Sequence, residues 1–272
     1  MERTYSLAYL TACHSDAIAA IRIAAELGYR HVGLRPLPNG PGAVKQDLID
    51  APAILREVLA LQRATGVTVF DLEIVRIGAD FDPAPCLPLF EVGQALGARA
   101  VLVAADDPDP ARLADSYAAL CDRMRPFGLT ADLEFMPWTA VRNAREALAV
   151  IDAAGRPANA GILVDALHFG RSDTTLDDIR ALPRELLHYA QVCDATTRTQ
   201  HGRDFTDDEL IRTARCERLL PGEGGIDLAG LFAALPDDLP LSVEIVHLAR
   251  MERVGDAAWA EACMAASRRL LC

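Results

Sequence analysis

Short apolar runs alternate along this chain with longer segments whose apolar residues recur at helical spacing. Tyr5–Thr11, His31–Arg35, Val67–Ile74, Arg99–Ala105, Leu129–Phe135, Ala160–Asp165, Leu187–Cys193 and Leu241–Val246 read as strands. Between them the spacing predicts helices. Asp16–Leu27 has Ser15 as its N-cap and Gly28 as its stop. Asp47–Ala64 ends at Thr65-Gly66, Leu87–Leu96 at Gly97, and Val141–Ala154 at Gly155. Further helices are expected within Asp109–Pro126, over Leu176–Leu182, near Asp207–Ala214 and over Asp256–Leu271, while the Pro/Gly/Asn-rich stretch Pro36–Gly42 is a loop. Ala160–Asp165 is apolar on both faces until it meets a carboxylate, as suits a strand of a covered parallel sheet with a polar tip. Such an aspartate either caps the next turn or is held by a cation.

Strict alternation of strand and helix implies a parallel sheet. Eight such units in 272 residues match an α/β fold of the (β/α)8 TIM-barrel type. A doubly wound open sheet is the competitor, but it would carry a glycine-rich turn after the first strand. The chain has Thr11-Ala12-Cys13-His14-Ser15 there, without glycine. No linker divides it, so residues 1–272 are expected to form one domain. The net charge of −12 argues against nucleic acid or an anionic membrane as the partner. Seven scattered cysteines with no C-x-x-C pair suggest reduced thiols. With no apolar signal core in Met-Glu-Arg-Thr-Tyr-Ser and no long apolar run, a cytoplasmic location is expected.

In a barrel all strands end at one face, where active sites form. Four late strands carry a coordinating oxygen near that end: Glu134, Asp165, Gln191 and Glu244. Converging carboxylates repel unless a cation neutralises them, which points to a divalent metal; all-oxygen ligands favour Mg²⁺ or Mn²⁺ over Zn²⁺. The alternative is pairing of these carboxylates with Arg35, Arg76 or Arg218.

The segments Ala24–Arg35, Leu133-Glu134-Phe135, Val164–His168, Gln191-Val192-Cys193-Asp194, Arg218–Gly224 and Val243-Glu244 together resemble the xylose-isomerase-like barrel superfamily, in its branch of sugar-phosphate isomerases and epimerases. The resemblance spans nearly the whole chain. It implies Glu, Asp, His and Glu as metal ligands, so Gln191 stands where the family has histidine. It implies that His168 touches substrate, that Glu134 and Glu244 do acid–base work on opposite faces of a hydroxy-carbonyl compound, and that chains self-associate. Proton transfer through a metal-stabilised enediolate then gives isomerisation or epimerisation. Expulsion of a β-hydroxyl instead gives a dehydratase of a keto-inositol or dehydroshikimate-like acid.

Arg35, Arg76, Arg198 and Arg218 are candidate anion binders, each weighed against a salt bridge to Glu73, Glu223 or Asp194. Trp138 is a candidate pocket wall and His14 a candidate substrate contact. His31 and His188 fall at strand starts and receive no role, and Cys193 reads as core rather than nucleophile. An abasic-site endonuclease on the same barrel would need a histidine-rich zinc cluster and a basic surface, whereas this chain has six histidines and an acidic balance. A non-catalytic sugar-binding barrel would have no use for the two glutamates.

Overall fold

A computed structural model describes residues 3–40 and 43–271. Eight parallel strands close in sequence order, β1 beside β8. They are β1 (Tyr5–Leu7), β2 (His31–Leu34), β3 (Thr68–Ile77), β4 (Ala100–Ala105), β5 (Thr130–Glu134), β6 (Ala160–Asp165), β7 (Ala190–Val192) and β8 (Leu241–Val243). The main surrounding helices are α1 (Ala17–Leu27), α2 (Pro52–Thr65), α3 (Leu87–Leu96), α4 (Pro110–Met124) and α5 (Ala144–Ala153). After β6 come α6 (Ala166–Arg171) and α7 (Leu176–Arg180); after β7 come α8 (Arg198–His201), α9 (Asp207–Cys216) and α10 (Leu228–Ala234). The chain closes with α11 (Leu248–Val254) and α12 (Asp256–Leu271). The (β/α)8 barrel expected from the alternation is therefore the observed fold. No helix among the described residues is long and apolar enough to cross a membrane.

The period of two along each strand decides which residues can meet. Ala131, Leu133, Ile162, Val164, Ala190, Val192, Leu241 and Val243 belong to the large core shared with the helices. Their neighbours belong to the other face: Ala100, Leu102, Leu163 and Tyr189 form a smaller cluster with Phe70 and Met136 inside the barrel. Asp132, Glu134, Asp165, Gln191, Ser242 and Glu244 share that inner parity, and all are buried. Register completes the arrangement, with Asp165 opposite Gln191, and Gln191 opposite Ser242.

Several boundaries differ from the sequence expectation for local reasons. The helix expected at Asp47 starts at Pro52, because proline suits the first helical turn and disfavours helical geometry at Ala51 before it. Asp16, not Ser15, caps α1, accepting from Ala19 N at 2.8 Å. Ser15 Oγ donates instead to Asp256. The first strand stops at Leu7 and gives way to a 3₁₀ turn, Tyr9–Ala12. There Thr11 Oγ1 donates to Val243 O and accepts from Ile245 N, each at 2.7 Å, tying that turn to the end of β8. Helices α6, α8, α10 and α11, each of seven residues or fewer, were not anticipated. Pro41, Gly42 and Cys272 lie outside the described residues, and the other six cysteines are free thiols.

Candidate active site

Glu134 ends β5, Asp165 ends β6, Gln191 lies in β7 and Glu244 follows β8. Asp165 has both roles that its sequence position allowed. Its Oδ1 accepts from Leu167 N at 2.6 Å and caps α6, while its Oδ2 accepts from Arg218 Nη1 at 2.6 Å. The second guanidinium edge reaches Glu244, with Arg218 Nη2 2.7 Å from Oε2. Arg218 Nε donates to Ala214 O at the C-terminal end of α9. Arg218 is 2% exposed, so this fork is desolvated as well as saturated. Of the arginine pairings weighed from sequence, Arg218 thus takes Asp165 and Glu244, not Glu223 or Asp194.

Capping by Asp165 also places His168, one turn into α6, with Nε2 3.4 Å from Glu134 Oε1. The Trp138 ring meets the His168 ring edge-on at 5.0 Å. Glu134, Asp165 and His168 each present a ligand atom, all within 4.8 Å of one another, in an arrangement that could hold a metal ion. Glu134 Oε1, His168 Nδ1 and both amide atoms of Gln191 are buried without a hydrogen-bond partner among the described residues. Glu73 adds a fourth carboxylate, held by Arg35 at 2.7 Å. Four carboxylates against two guanidiniums leave two negative charges if all are ionised. Protons or one divalent cation would cancel them, and the unpartnered oxygens of Glu134 and Gln191 are suited to the cation. The chain's residues therefore fit a divalent metal, with Asp165 Oδ2 and Glu244 free to join only when Arg218 releases them.

Burial raises the Glu134 carboxyl above its usual range, against the opposing pull of His168. Burial likewise raises Glu244 well above that range, despite Arg218, with Glu73, Asp165 and Glu134 adding repulsion. Asp165 goes the other way: burial pushes it up, but Arg218 and His168 outweigh that and hold it low. The two partners of one guanidinium thus titrate in opposite directions. Asp165 also receives the Leu167 N–H and lies close to His168, so it keeps the charge, and the protons the cluster takes up belong chiefly on Glu134 and Glu244.

A narrow cleft of about 50 Å³ opens onto this group, lined by Arg35, Arg76, Glu134, Trp138, His168, Arg215, Arg218 and Glu244 among others. Of the expected anion binders, Arg35 lies over the Tyr9 ring while holding Glu73. Arg76 binds Asp106 through two hydrogen bonds. Two expected substrate contacts are not brought there. His14 is half-exposed and its Nδ1 lies 3.0 Å from Asp256 Oδ1, because α12 starts beside it and offers a carboxylate. Arg198, in α8, pairs with Asp204 and lines a different cavity. Cys193 is core as expected, its thiol pushed up by burial. His188 is not idle: its Nδ1 is 2.7 Å from the buried Asp132. Sequence reasoning missed Asp71, Asp132 and Arg215. Asp71 and Asp132 left a signal, a carboxylate interrupting an apolar strand; Arg215 left none.

Residues 21–264 match the model of the xylose isomerase-like TIM barrel family. The chain belongs to that family. It is 31% identical over 166 residues to a 3-dehydroshikimate dehydratase of Pseudomonas aeruginosa, a match covering 58% of this chain and 25% of that protein. The matched part thus spans about a quarter of the length of this curated relative. Among solved structures, the IolI protein with a bound zinc atom superposes with a TM-score of 0.79 at 16% identity, covering 98% of both chains. A D-allulose 3-epimerase from Methylomonas sp. superposes at 0.68 and 17% identity, covering 99% of this chain and 98% of its own. At these identities the two structures share the barrel with this chain.

Proposed function

We propose that this barrel is a metal-dependent lyase. It removes a proton next to the carbonyl of a 3-dehydroshikimate-like hydroxy acid and expels the β-hydroxyl as water. The observation that carries this reading is the 31% identity to the Pseudomonas dehydratase over 166 residues. The site is compatible in three respects. Its cleft is lined by Arg215, an exposed guanidinium suited to a carboxylate. It offers two glutamates whose carboxyls burial raises above the ordinary value, the direction that suits a general acid. It also places a histidine beside one of them.

In this mechanism one glutamate, once ionised, takes the proton from the α-carbon. The electron pair moves into the carbonyl and returns to form the carbon–carbon double bond as the β-hydroxyl leaves. His168 or the second glutamate supplies the proton that turns the departing hydroxide into water. Arg215, exposed at the cleft, would orient the acid, and Trp138 packs edge-on against His168. Glu134, Asp165, Gln191 and Glu244 would hold the divalent ion, which supplies positive charge beside the carbonyl oxygen. The all-oxygen set favours Mg²⁺ or Mn²⁺, whereas direct ligation by His168 would admit Zn²⁺.

The second reading, an isomerase or epimerase of a sugar-like hydroxy-carbonyl compound, is favoured by Glu134 and Glu244 both lining the cleft. One would remove a proton that the other returns. Both readings begin with the same proton abstraction. Glu244→Gln should therefore keep the fold and lose solvent-deuterium exchange at the α-carbon by about 10²–10⁴-fold. Unchanged exchange removes Glu244 from the mechanism. NMR of the product then separates the readings: an enone and water for the lyase, a rearranged hydroxy-carbonyl for the isomerase.

A further inference from the structure

A second cavity, of about 340 Å³, lies outside the catalytic cleft, between the loop after β5, the end of α6, α8 and the start of α9. Arg171, the last residue of α6, lines it one helical turn beyond His168. Arg171 is 3% exposed, yet its side chain makes no hydrogen bond or ion pair among the described residues, and its Nε and Nη1 are buried without an acceptor. The Phe205 ring fixes the guanidinium plane, with Cζ 3.4 Å from the ring centre. Burial pulls its pKa down to about 10, so it stays a cation at neutral pH.

The other charged groups around the cavity are already engaged. Asp173 is held by Arg145, and Arg198 by Asp204. Glu146 accepts from Arg142 N, and Asp207 lies 4.0 Å from Arg142. A buried cation with several free donors, at the wall of a cavity large enough for a small molecule, is the arrangement that recognises an oxyanion. We infer that this cavity binds the carboxylate or phosphate group of a small ligand through Arg171. The inference concerns a site outside the catalytic cleft and does not depend on the reaction proposed above.

Calorimetric titration of inorganic phosphate, and separately of acetate, into the purified full chain tests the site. Saturable binding of one of them is expected, weakened about tenfold or more in Arg171→Met and partly kept in Arg171→Lys. A preference for phosphate identifies a phosphate ester as the natural ligand, and a preference for acetate identifies a carboxylic acid. Phe205→Leu, which removes the ring beneath the guanidinium, should weaken binding several-fold and decides the matter should Arg171→Met fail to fold. Arg35→Gln, which alters the catalytic cleft instead, should leave binding unchanged. No saturable binding by the wild type, unchanged affinity in the Arg171 and Phe205 variants, or loss only in Arg35→Gln overturns the inference.

Discussion

Arg218 and Arg171 are both buried arginines at the mouth of one barrel, and their surroundings are opposite. Arg218 is saturated, with Asp165 and Glu244 on its fork and Ala214 O on Nε. Arg171 rests on an aromatic face at the wall of a cavity, with Nε and Nη1 left without an acceptor among the described residues. Burying a cation is costly, and the two sites meet that cost differently. Where carboxylates complete the shell, the arginine becomes part of the electrostatic structure. Where only a ring supports it, the unmet demand is available to a ligand.

The difference predicts unequal responses to the same substitution. Arg218→Met leaves Asp165 and Glu244 buried without their partner. It should lower stability by about 3–5 kcal/mol in the presence of a chelator, read by urea unfolding at neutral pH. Added Mg²⁺ or Mn²⁺ should restore part of the loss, because the carboxylates freed from the guanidinium become ligands. An unchanged unfolding midpoint in chelator would mean that the carboxylates simply take up protons, and Arg218 would then not be the cation that holds the cluster.

A buried acid sharpens the comparison from the other side. Among the described residues neither carboxylate oxygen of Asp71 has a hydrogen-bond partner beyond its own backbone, and its side chain lies against Gly33, where a Cβ would come within 2.8 Å of Oδ2. Unlike a guanidinium, this group can lose its charge by taking a proton. Burial, with Glu73 and Asp132 adding repulsion, raises its pKa well above the usual carboxylate value. The folded state then binds a proton that the unfolded chain has released. Stability from this group is fully present below the unfolded value of 3.8 and declines as pH rises from there through the raised folded pKa. Asp71→Asn should remove that decline, so the variant gains on the wild type as pH rises above 3.8, read by urea unfolding across pH 4 to 8. Equal pH profiles for the two proteins would show that Asp71 does not titrate above its ordinary range.

The smallest effect belongs to Arg171. Arg171→Met removes a charge with no carboxylate in direct contact, Glu209 being paired with Arg203, so in anion-free buffer its stability should stay within about 1 kcal/mol of wild type. A loss as large as that for Arg218→Met would mean that Arg171 is held by the fold rather than kept for a ligand.

Much of the barrel was legible in the chain because burial on two faces leaves a readable trace. Ala160–Asp165, Leu87–Leu96 and Asp256–Leu271 have the bounds their patterns predict. The parity that puts Glu134, Asp165, Gln191 and Glu244 inside the barrel follows from the alternation along their strands. Helix α6 was illegible because its cap is the aspartate that ends the preceding strand, and six residues are too few to establish a helical period. His14 went astray for a different reason. Its position after β1 is adjacent to the active face, but Asp256, 242 residues away, supplies a carboxylate at 3.0 Å.

By itself the sequence determined the number and order of strands, their inner and outer faces, and the kind of groups at their ends. These depend on periodicity and on residue type, both local properties. Only the tertiary structure decided who pairs with whom. Arg218 reaches Asp165 across 53 positions and Glu244 from the other side, whereas Arg171, three residues from His168, has no carboxylate within ion-pair distance among the described residues. A charge's partner is set by distance and burial in space, and closure of the barrel brings together groups whose separation along the chain carries no trace of it.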